Sequence, residues 1–247
     1  MTASYAAIVG VVATGFGTLA PQTQDRIVRH ASTNLHNLDH GRVGTLLISA
    51  FVVDAGPLLV WLPGLIALLA LVELLWGSSR LVVAFLVGHV GATLLVAAGL
   101  AAAVTLTWLP HSVSRAIDVG MSYGAIGALG ALTPTIPRRW RPAWVGWWVA
   151  LSVAVVAVDQ DFTDVGHAVA LLLGMAVATR FGAPHTWTPT RVVLLGVAAV
   201  FGFLVIANTQ VVIVVAGPCG LAVALSGKAV AWIAQRSSVI ATVRQST

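Results

Sequence analysis

Long apolar runs alternate with short polar connectors along most of this chain. Most of the runs are 16–26 residues long. A helix of that length, at about 1.5 Å per residue, nearly spans a hydrocarbon core of about 30 Å. The pattern predicts eight membrane-spanning segments, at about residues 4–20, 55–75, 81–106, 119–136, 143–158, 165–180, 191–208 and 211–227. We therefore expect an all-α membrane protein.

Three parts of the pattern need separate treatment. Residues 43–53 are apolar but too short to span, so we predict an interfacial or re-entrant segment. Residues 228–244 carry basic residues and a tryptophan between apolar ones, which favours a helix on the membrane surface. The connector at 208–210 is short for a hairpin, so seven and eight spans both stay open.

Composition agrees with the hydropathy pattern. Only 9% of the residues are charged and 58% are hydrophobic, whereas a soluble domain carries about 25% charged residues. The net charge of +5 comes from basic residues that stand singly or in short groups between apolar runs. They are typical of loop anchors and not of a nucleic-acid interface. The surface is therefore predicted to face membrane lipids.

The basic residues also predict an orientation. No positive charge precedes Arg26, so we expect the first segment to be a retained helix, with a cleaved signal as the alternative. With a cytoplasmic N-terminus and eight spans, nine basic residues lie inside and four outside. Seven spans would give six inside and seven outside. The positive-inside rule thus favours a multi-pass protein of the plasma (inner) membrane of a bacterium, with both ends in the cytoplasm.

Ser122 lies in a glycine-rich sequence, GMSYG, at residues 120–124. A Gly-x-Ser-x-Gly nucleophile elbow needs a strand-to-helix junction, whereas this segment is predicted to be a membrane helix. Gly120, Gly124, Gly127 and Gly130 predict a small-residue face that lets helices pack closely. Such a face leaves a chemical role for Ser122 open.

His167 is predicted to lie at the same membrane depth as Ser122. Ser122 comes four residues after Asp118, and His167 three residues after Asp164, so both lie about 5 Å below their boundary aspartates. A histidine within hydrogen-bond reach of a serine can act as its general base. The alternative is a core histidine bonded to a backbone carbonyl.

Other ionisable groups fall within the apolar runs, where they are costly. His89 lies near mid-membrane, with Thr93 on the same helix face. Three interpretations of His89 remain open: a structural hydrogen-bond node, a catalytic accessory, or part of a proton path. Glu73 is expected to be a structural anchor, either protonated or paired. His36 and His40 have helical spacing but no evident third ligand, so we predict no metal site and no cofactor.

Four motifs in this order resemble those of the rhomboid family of intramembrane serine proteases. GRVGTLLISAF (41–51) is similar to the stretch entering the second rhomboid helix, and LVELLWGSSR (71–80) to its end. GMSYG resembles the Gly-x-Ser-Gly of the fourth helix, and GHAVALLLG (166–174), which ends at Gly174, resembles the histidine motif of the sixth. Runs such as STNLHNLDHG, GHVGAT and DVGMSYG look like those of divergent rhomboid-like proteins from high-GC Gram-positive bacteria.

The resemblance implies a fold and a site. Residues 1–182 would form a six-helix transmembrane core, 183–227 one or two further transmembrane helices, and 228–247 an interfacial or cytoplasmic tail. Ser122 would be the nucleophile and His167 the base. Backbone N–H groups near Met121, or the side chain of His89, would stabilise the oxyanion.

The chain also departs from the family pattern. Tyr123 stands where the family has glycine, and a tyrosine there would crowd the nucleophile. Pro57 and Trp61 lie near the positions of the family's accessory histidine and asparagine, and neither can donate in their place. His89 or Asn37 would have to substitute. Three hypotheses follow: a protease acting on membrane helices, a catalytically silent protein that binds membrane clients or partner subunits, and a transporter.

Overall fold

The computed structural model describes residues 1–52, 58–207, 218, 222 and 223, and these residues contain helices and no strand. The helices are α1 (Thr2–Gly17), α2 (Pro21–Ala31), α3 (Leu35–Asp39), α4 (Thr45–Ile48), α5 (Leu58–Trp76), α6 (Ser78–Leu86), α7 (Ala92–Thr105), α8 (Ser122–Gly130), α9 (Arg141–Asp159), α10 (Phe162–Ala178) and α11 (Pro189–Ile206). A π-helical turn, Val87–Gly91, joins α6 to α7.

Within the described residues, three helices are long and apolar enough to cross a membrane: Ser78–Thr105, Arg141–Asp159 and Pro189–Ile206. Thr2–Gly17, Trp61–Trp76 and Phe162–Ala178 are apolar but shorter. All six coincide with predicted spans, and the prediction of an all-α, multi-pass membrane protein is confirmed. The predicted span 211–227 lies outside the described residues except at 218, 222 and 223, and the tail 228–247 lies wholly outside them.

Helix α8 is much shorter than the predicted segment 119–136. It has nine residues, which extend about 13 Å. Gly120, with φ +117°, ends the preceding loop. A 3₁₀ turn that contains Pro134 follows the helix, because proline lacks the N–H that would continue an α-helix. Every residue from Tyr123 to Gly130 is buried, so α8 is the centre of the bundle and is shielded from lipid by its neighbours.

Glycines bring α8 unusually close to two other helices. A Cβ added to Gly127 would lie 2.6 Å from the Cα of Gly88, which belongs to the π turn. On the other side, a Cβ at Gly174 of α10 would collide with the backbone of Gly127. Gly124 lies against the ring of Phe85 in the same way. The small-residue face predicted for this segment is thus the surface through which the bundle centre packs.

Contacts between connectors define one end of the bundle. The amino group of Met1 pairs with Glu73 at 2.7 Å, so Glu73 is a paired group here. The amide of His185 donates to the carbonyl of Leu75 at 2.9 Å, and Trp187 Nε1 donates to a carbonyl of the α8–α9 connector at 2.9 Å. This end carries basic residues of the connectors and of the adjoining helix ends: Arg80, Arg138, Arg139, Arg141, Arg180 and Arg191.

The opposite end is built from residues 18–52 and the α7–α8 connector. The amide of Thr33 donates to the carbonyl of Asp118, and the amide of Gly120 to that of Ser49, both at 2.9 Å. The segment predicted as interfacial or re-entrant contains α4 and a 3₁₀ turn in which Ser49 and Ala50 are buried. Tyr5 of α1 donates to the carbonyl of Ala50 at 2.6 Å. The segment therefore folds inward and helps to hold the start of α8.

Candidate functional site

Helices α8 and α10 bring the two candidate catalytic residues to the same end of the bundle. Ser122 is the first residue of α8, after Met121 as N-cap, and its side chain is partly exposed. His167 lies in the second turn of α10 and is 3% exposed. The first turn of α8 directs its backbone N–H groups towards the end that carries Ser122.

No hydrogen bond joins Ser122 to His167 in the structure. Both ring nitrogens of His167 are buried, and neither has a hydrogen-bond partner among the described residues. The hydroxyl of Ser122 likewise makes no hydrogen bond to any residue that the structure describes. The serine is thus not linked to a base in this arrangement.

Tyr123, which follows Ser122 in α8, packs against the imidazole ring of His167. The rings of Tyr123 and His167 meet edge to face, with centroids 5.3 Å apart. The phenol also lies directly against the backbone of Gly166, where a Cβ would collide with it. Its hydroxyl is buried and lies near Thr163 without completing a hydrogen bond. The residue that departs from the family's glycine therefore occupies the space beside the candidate base.

Asp164 is a buried group that the sequence analysis used only as a boundary marker. It is 1% exposed, and both carboxylate oxygens are buried without a hydrogen-bond partner among the described residues. It precedes His167 by three residues on α10, a spacing that places both on one helix face. That spacing is the signal through which sequence reasoning could have found it.

A different serine and histidine are hydrogen-bonded. Ser49 Oγ lies 3.2 Å from His89 Nε2, and Thr33 Oγ1 donates to Ser49 Oγ at 3.2 Å. All three side chains are at most 3% exposed. His89 Nδ1 lies near the carbonyl of Leu46 without completing a hydrogen bond. Of the three interpretations of His89, these contacts favour the structural node.

Sequence reasoning missed Ser49, because 40 residues separate it from His89 along the chain. The only signal was a serine within the short apolar stretch 43–53. Thr93, one turn beyond His89, is also buried. It lines a small cavity that contains room for about one water molecule.

Asp118 lines the same cavity, in the connector that precedes α8. Burial raises the pKa of its carboxyl group to about 7. Its backbone amide donates to Ser32 Oγ at 2.8 Å. Since Thr33 also bonds the Asp118 carbonyl, this connector is fixed to the polar cluster around Ser49.

Asn37, which the sequence analysis named as a substitute donor, has a structural role. Asn37 of α3 donates its side-chain amide to the carbonyls of Arg29 and Ser32, at 3.0 and 2.7 Å, which ties α3 to the end of α2. Trp61 lines an apolar groove between α5 and α11. Pro57 lies outside the described residues.

Comparison with known proteins identifies the family. The sequence model of a family described as rhomboid-like protein matches residues 2–183. No curated protein matches the chain, and no solved structure does. The matched stretch covers α1 to α10, including both Ser122 and His167. This chain therefore belongs to the rhomboid-like protein family.

Proposed function

We propose that this rhomboid-like protein binds transmembrane helices of client or partner proteins without hydrolysing them. The observation that carries the proposal is the closed setting of His167. Tyr123 packs against its ring, and neither ring nitrogen has a hydrogen-bond partner among the described residues. A serine becomes a nucleophile when an adjacent base removes its proton, and that link is missing here.

Access for water supports the same proposal. Hydrolysis needs a water molecule to resolve the acyl-enzyme, and the histidine must activate it. Both ring nitrogens of His167 are buried from solvent. The apolar surface of the helices, in contrast, offers a large area for contact with other membrane helices. Val192, Val193 and Val200 of α11, for example, are all more than half exposed.

An intramembrane serine protease is the second candidate. It is favoured by the position of Ser122 and His167 at the same end of adjoining helices and by the family match. In that mechanism Ser122 attacks a peptide carbonyl, and His167 accepts its proton and later donates one to the leaving amine. Tyr123, whose ring packs against His167, would first have to change its side-chain orientation.

A transporter is less well supported than either. A proton or ion path would depend on His89 in the membrane interior, and its Nε2 is engaged by Ser49 inside a buried cluster. The π turn at Val87–Gly91 is the sole interruption within a candidate span of the described residues, whereas transporters often use paired interrupted helices.

The proposal also covers how the protein is oriented in the membrane and which residues form its rhomboid-like core. We infer that the end carrying Arg80, Arg138 and Arg139 faces the cytoplasm, because inner loops are enriched in basic residues. The N-terminus lies at that end through its pairing with Glu73. The plasma membrane is the location we propose, with residues 1–182 as the rhomboid-like core.

Labelling with a fluorophosphonate probe in detergent tests the proposed function. We expect no labelling of the folded wild-type protein at Ser122. The Tyr123→Gly variant opens the space beside His167. It tests whether the tyrosine is the reason that Ser122 is not labelled. Ser112→Ala, at an exposed serine, is the matched control. Labelling of the wild-type protein that disappears in both Ser122→Ala and His167→Ala would establish an activated serine and refute the proposal.

A further inference from the structure

The end of the bundle away from Ser122 carries a surplus of positive charge. Its arginines are Arg80, Arg138, Arg139, Arg141, Arg180 and Arg191. Among the described residues this end holds one carboxylate, Glu73, and that group already pairs with the amino group of Met1 at 2.7 Å. Helices α9 and α11 both begin here, so the positive ends of their dipoles add to the charge of the arginines. The balancing negative charge has to come from outside the described part of the chain.

Two of these arginines are available to an anion. Arg138 and Arg139 of the α8–α9 connector are exposed, and neither makes a hydrogen bond or an ion pair with any residue that the structure describes. Arg141, in contrast, donates to the carbonyls of Pro134 and Ile136, at 2.7 and 3.1 Å. The adjacent pair is therefore the part of this surface from which an anion could accept hydrogen bonds.

A groove of about 510 Å³ begins beside this pair, a volume in the range of ligand pockets, about 300–1,000 Å³. We call it the tryptophan groove. Its described walls are apolar and come from the α8–α9 connector, α9, the α10–α11 connector and the start of α11. They include Trp140, Trp144, Trp187, Val192 and Leu195. Arg138 and Arg139 stand in the chain between Pro137 and Trp140, which both line the groove. Positive charge and apolar surface thus adjoin each other.

Hydrogen bonds hold two of the indole rings in place. Trp144 Nε1 donates to Thr133 Oγ1 at 3.2 Å, and Trp187 Nε1 donates to the carbonyl of Thr135 at 2.9 Å. Since the connector satisfies both indole N–H groups, these two rings offer the groove carbon surface and need no polar partner in a ligand. Walls that are fixed in advance lose little conformational freedom when a ligand binds.

The order of charge and apolar surface matches the shape of a phospholipid. Leu195 lies six residues after Pro189, the first residue of α11, so the groove extends about 9 Å along this helix from the basic end. Tryptophan is typical of the boundary between headgroups and hydrocarbon, and arginine donates paired hydrogen bonds to phosphate oxygens. A headgroup phosphate would lie at the arginines, and an acyl chain would extend past Leu195.

We propose that the tryptophan groove binds one anionic phospholipid, with its phosphate on Arg138 and Arg139 and an acyl chain between α9 and α11. A zwitterionic lipid brings an ammonium group that the arginines repel, so charge selects an anionic headgroup. Neither Ser122 nor His167 takes part, because both lie at the opposite end of the bundle. The site combines α9, which lies within the residues that match the family, with α11, which lies beyond them.

Quenching of tryptophan fluorescence by brominated lipid tests the site, because bromine quenches the indole rings that it approaches closely. The full-length protein in detergent micelles is titrated with dibrominated phosphatidylglycerol and, separately, with dibrominated phosphatidylcholine. Arg138→Gln/Arg139→Gln removes the two proposed phosphate ligands. Ala143→Phe, in the groove wall, fills the groove without a change of charge. Arg26→Gln/Arg115→Gln, at two exposed arginines of the opposite end, is the charge-matched control.

Loss of both arginines should weaken binding of phosphatidylglycerol about 25-fold, since each arginine near an anionic lipid contributes roughly fivefold. We expect the wild-type protein and the control to prefer phosphatidylglycerol to phosphatidylcholine by about tenfold or more, and the Arg138→Gln/Arg139→Gln variant to lose that preference. Ala143→Phe should lower the quenching by both lipids. Unbrominated phosphatidylglycerol should reverse the quenching.

Three results would overturn the inference. The first is equal half-saturation of the wild-type protein by the two lipids. The second is equal weakening by the two double substitutions, which would assign the effect to net charge alone. The third is full reversal of the quenching by inorganic phosphate at the concentration of the lipid, which would mean that the site binds the anion without its acyl chain.

Discussion

Substitution of Gly127 by alanine tests the packing at the centre of the bundle. An added Cβ would lie 2.6 Å from the Cα of Gly88 and 2.9 Å from the carbonyl oxygen of Ala84. Ordinary contacts of a Cβ begin at 3.4 Å, so α8 and the π turn would have to move apart by about 0.8 Å. Both obstructing groups belong to the backbone and cannot rotate away.

The expected cost follows from that displacement. Overpacking of a close-packed interior costs about 1–3 kcal/mol, and the rigid obstruction places this substitution in the upper part of the range. Alanine recovers up to about 1 kcal/mol through its better helix propensity. A net loss of about 2 kcal/mol corresponds to a fall of roughly 4–8 °C in Tm for a chain of this size.

The matched control is Gly99→Ala in α7. Gly99 is also helical, but an added Cβ there would meet nothing within 4 Å. We expect this variant to be as stable as the wild-type protein or slightly more so, by up to about 1 kcal/mol. Thermal unfolding in detergent, followed by tryptophan fluorescence, measures both variants. Equal Tm values for Gly127→Ala and Gly99→Ala would refute the close approach of α8 to the π turn.

Three further predictions use the same unfolding measurement. Burial raises the pKa of Asp118 from 3.8 to about 7, so the folded protein retains a proton that the unfolded chain releases above about pH 4. The stability that the retained proton provides is complete in acid and is lost as the pH rises through 7. The Tm of the Asp118→Asn variant should therefore exceed that of the wild-type protein at pH 8 but not at pH 4. Ser49→Ala leaves His89 Nε2 buried without its partner and should cost about 1–3 kcal/mol, and a Tm equal to that of Ser112→Ala would contradict the buried cluster. Trp187→Phe removes a hydrogen bond to a backbone carbonyl and should cost about 1 kcal/mol, so an unchanged Tm would mean that the α10–α11 connector is not fixed there.

Apolar runs of sufficient length were enough to predict most of the membrane helices. Helices α1, α9 and α11 begin and end within a few residues of the predicted spans, since lipid requires both apolar side chains and satisfied backbone groups. The prediction for α8 was too long. Hydropathy alone does not distinguish a short helix buried in protein from a longer one in lipid, and the proline-containing turn after Gly130 was the missing signal.

The candidate site was predictable only in part. Equal depth of Ser122 and His167 could be derived from spacing, and the bulk of Tyr123 could be read from the sequence. The orientation of the tyrosine ring towards His167 depends on how α8 and α10 are rotated against each other, and a single sequence does not specify that. The pair Ser49–His89 could not be predicted either, because it joins an irregular segment to the middle of a helix.

The π turn at Val87–Gly91 contains two glycines that contact different helices. Gly88 faces α8, whereas Gly91 faces Leu173 of α10. The continuous helix from α6 to α7 therefore packs against two other helices through different sides. Each residue of an α-helix advances the direction of its side chains by about 100°. A π-helical turn closes i→i+5 and so holds more residues than an α-helical turn, which sets the direction in which α7 presents Thr93 relative to the side chains of α6. In this helix the number of residues is therefore itself part of the structure.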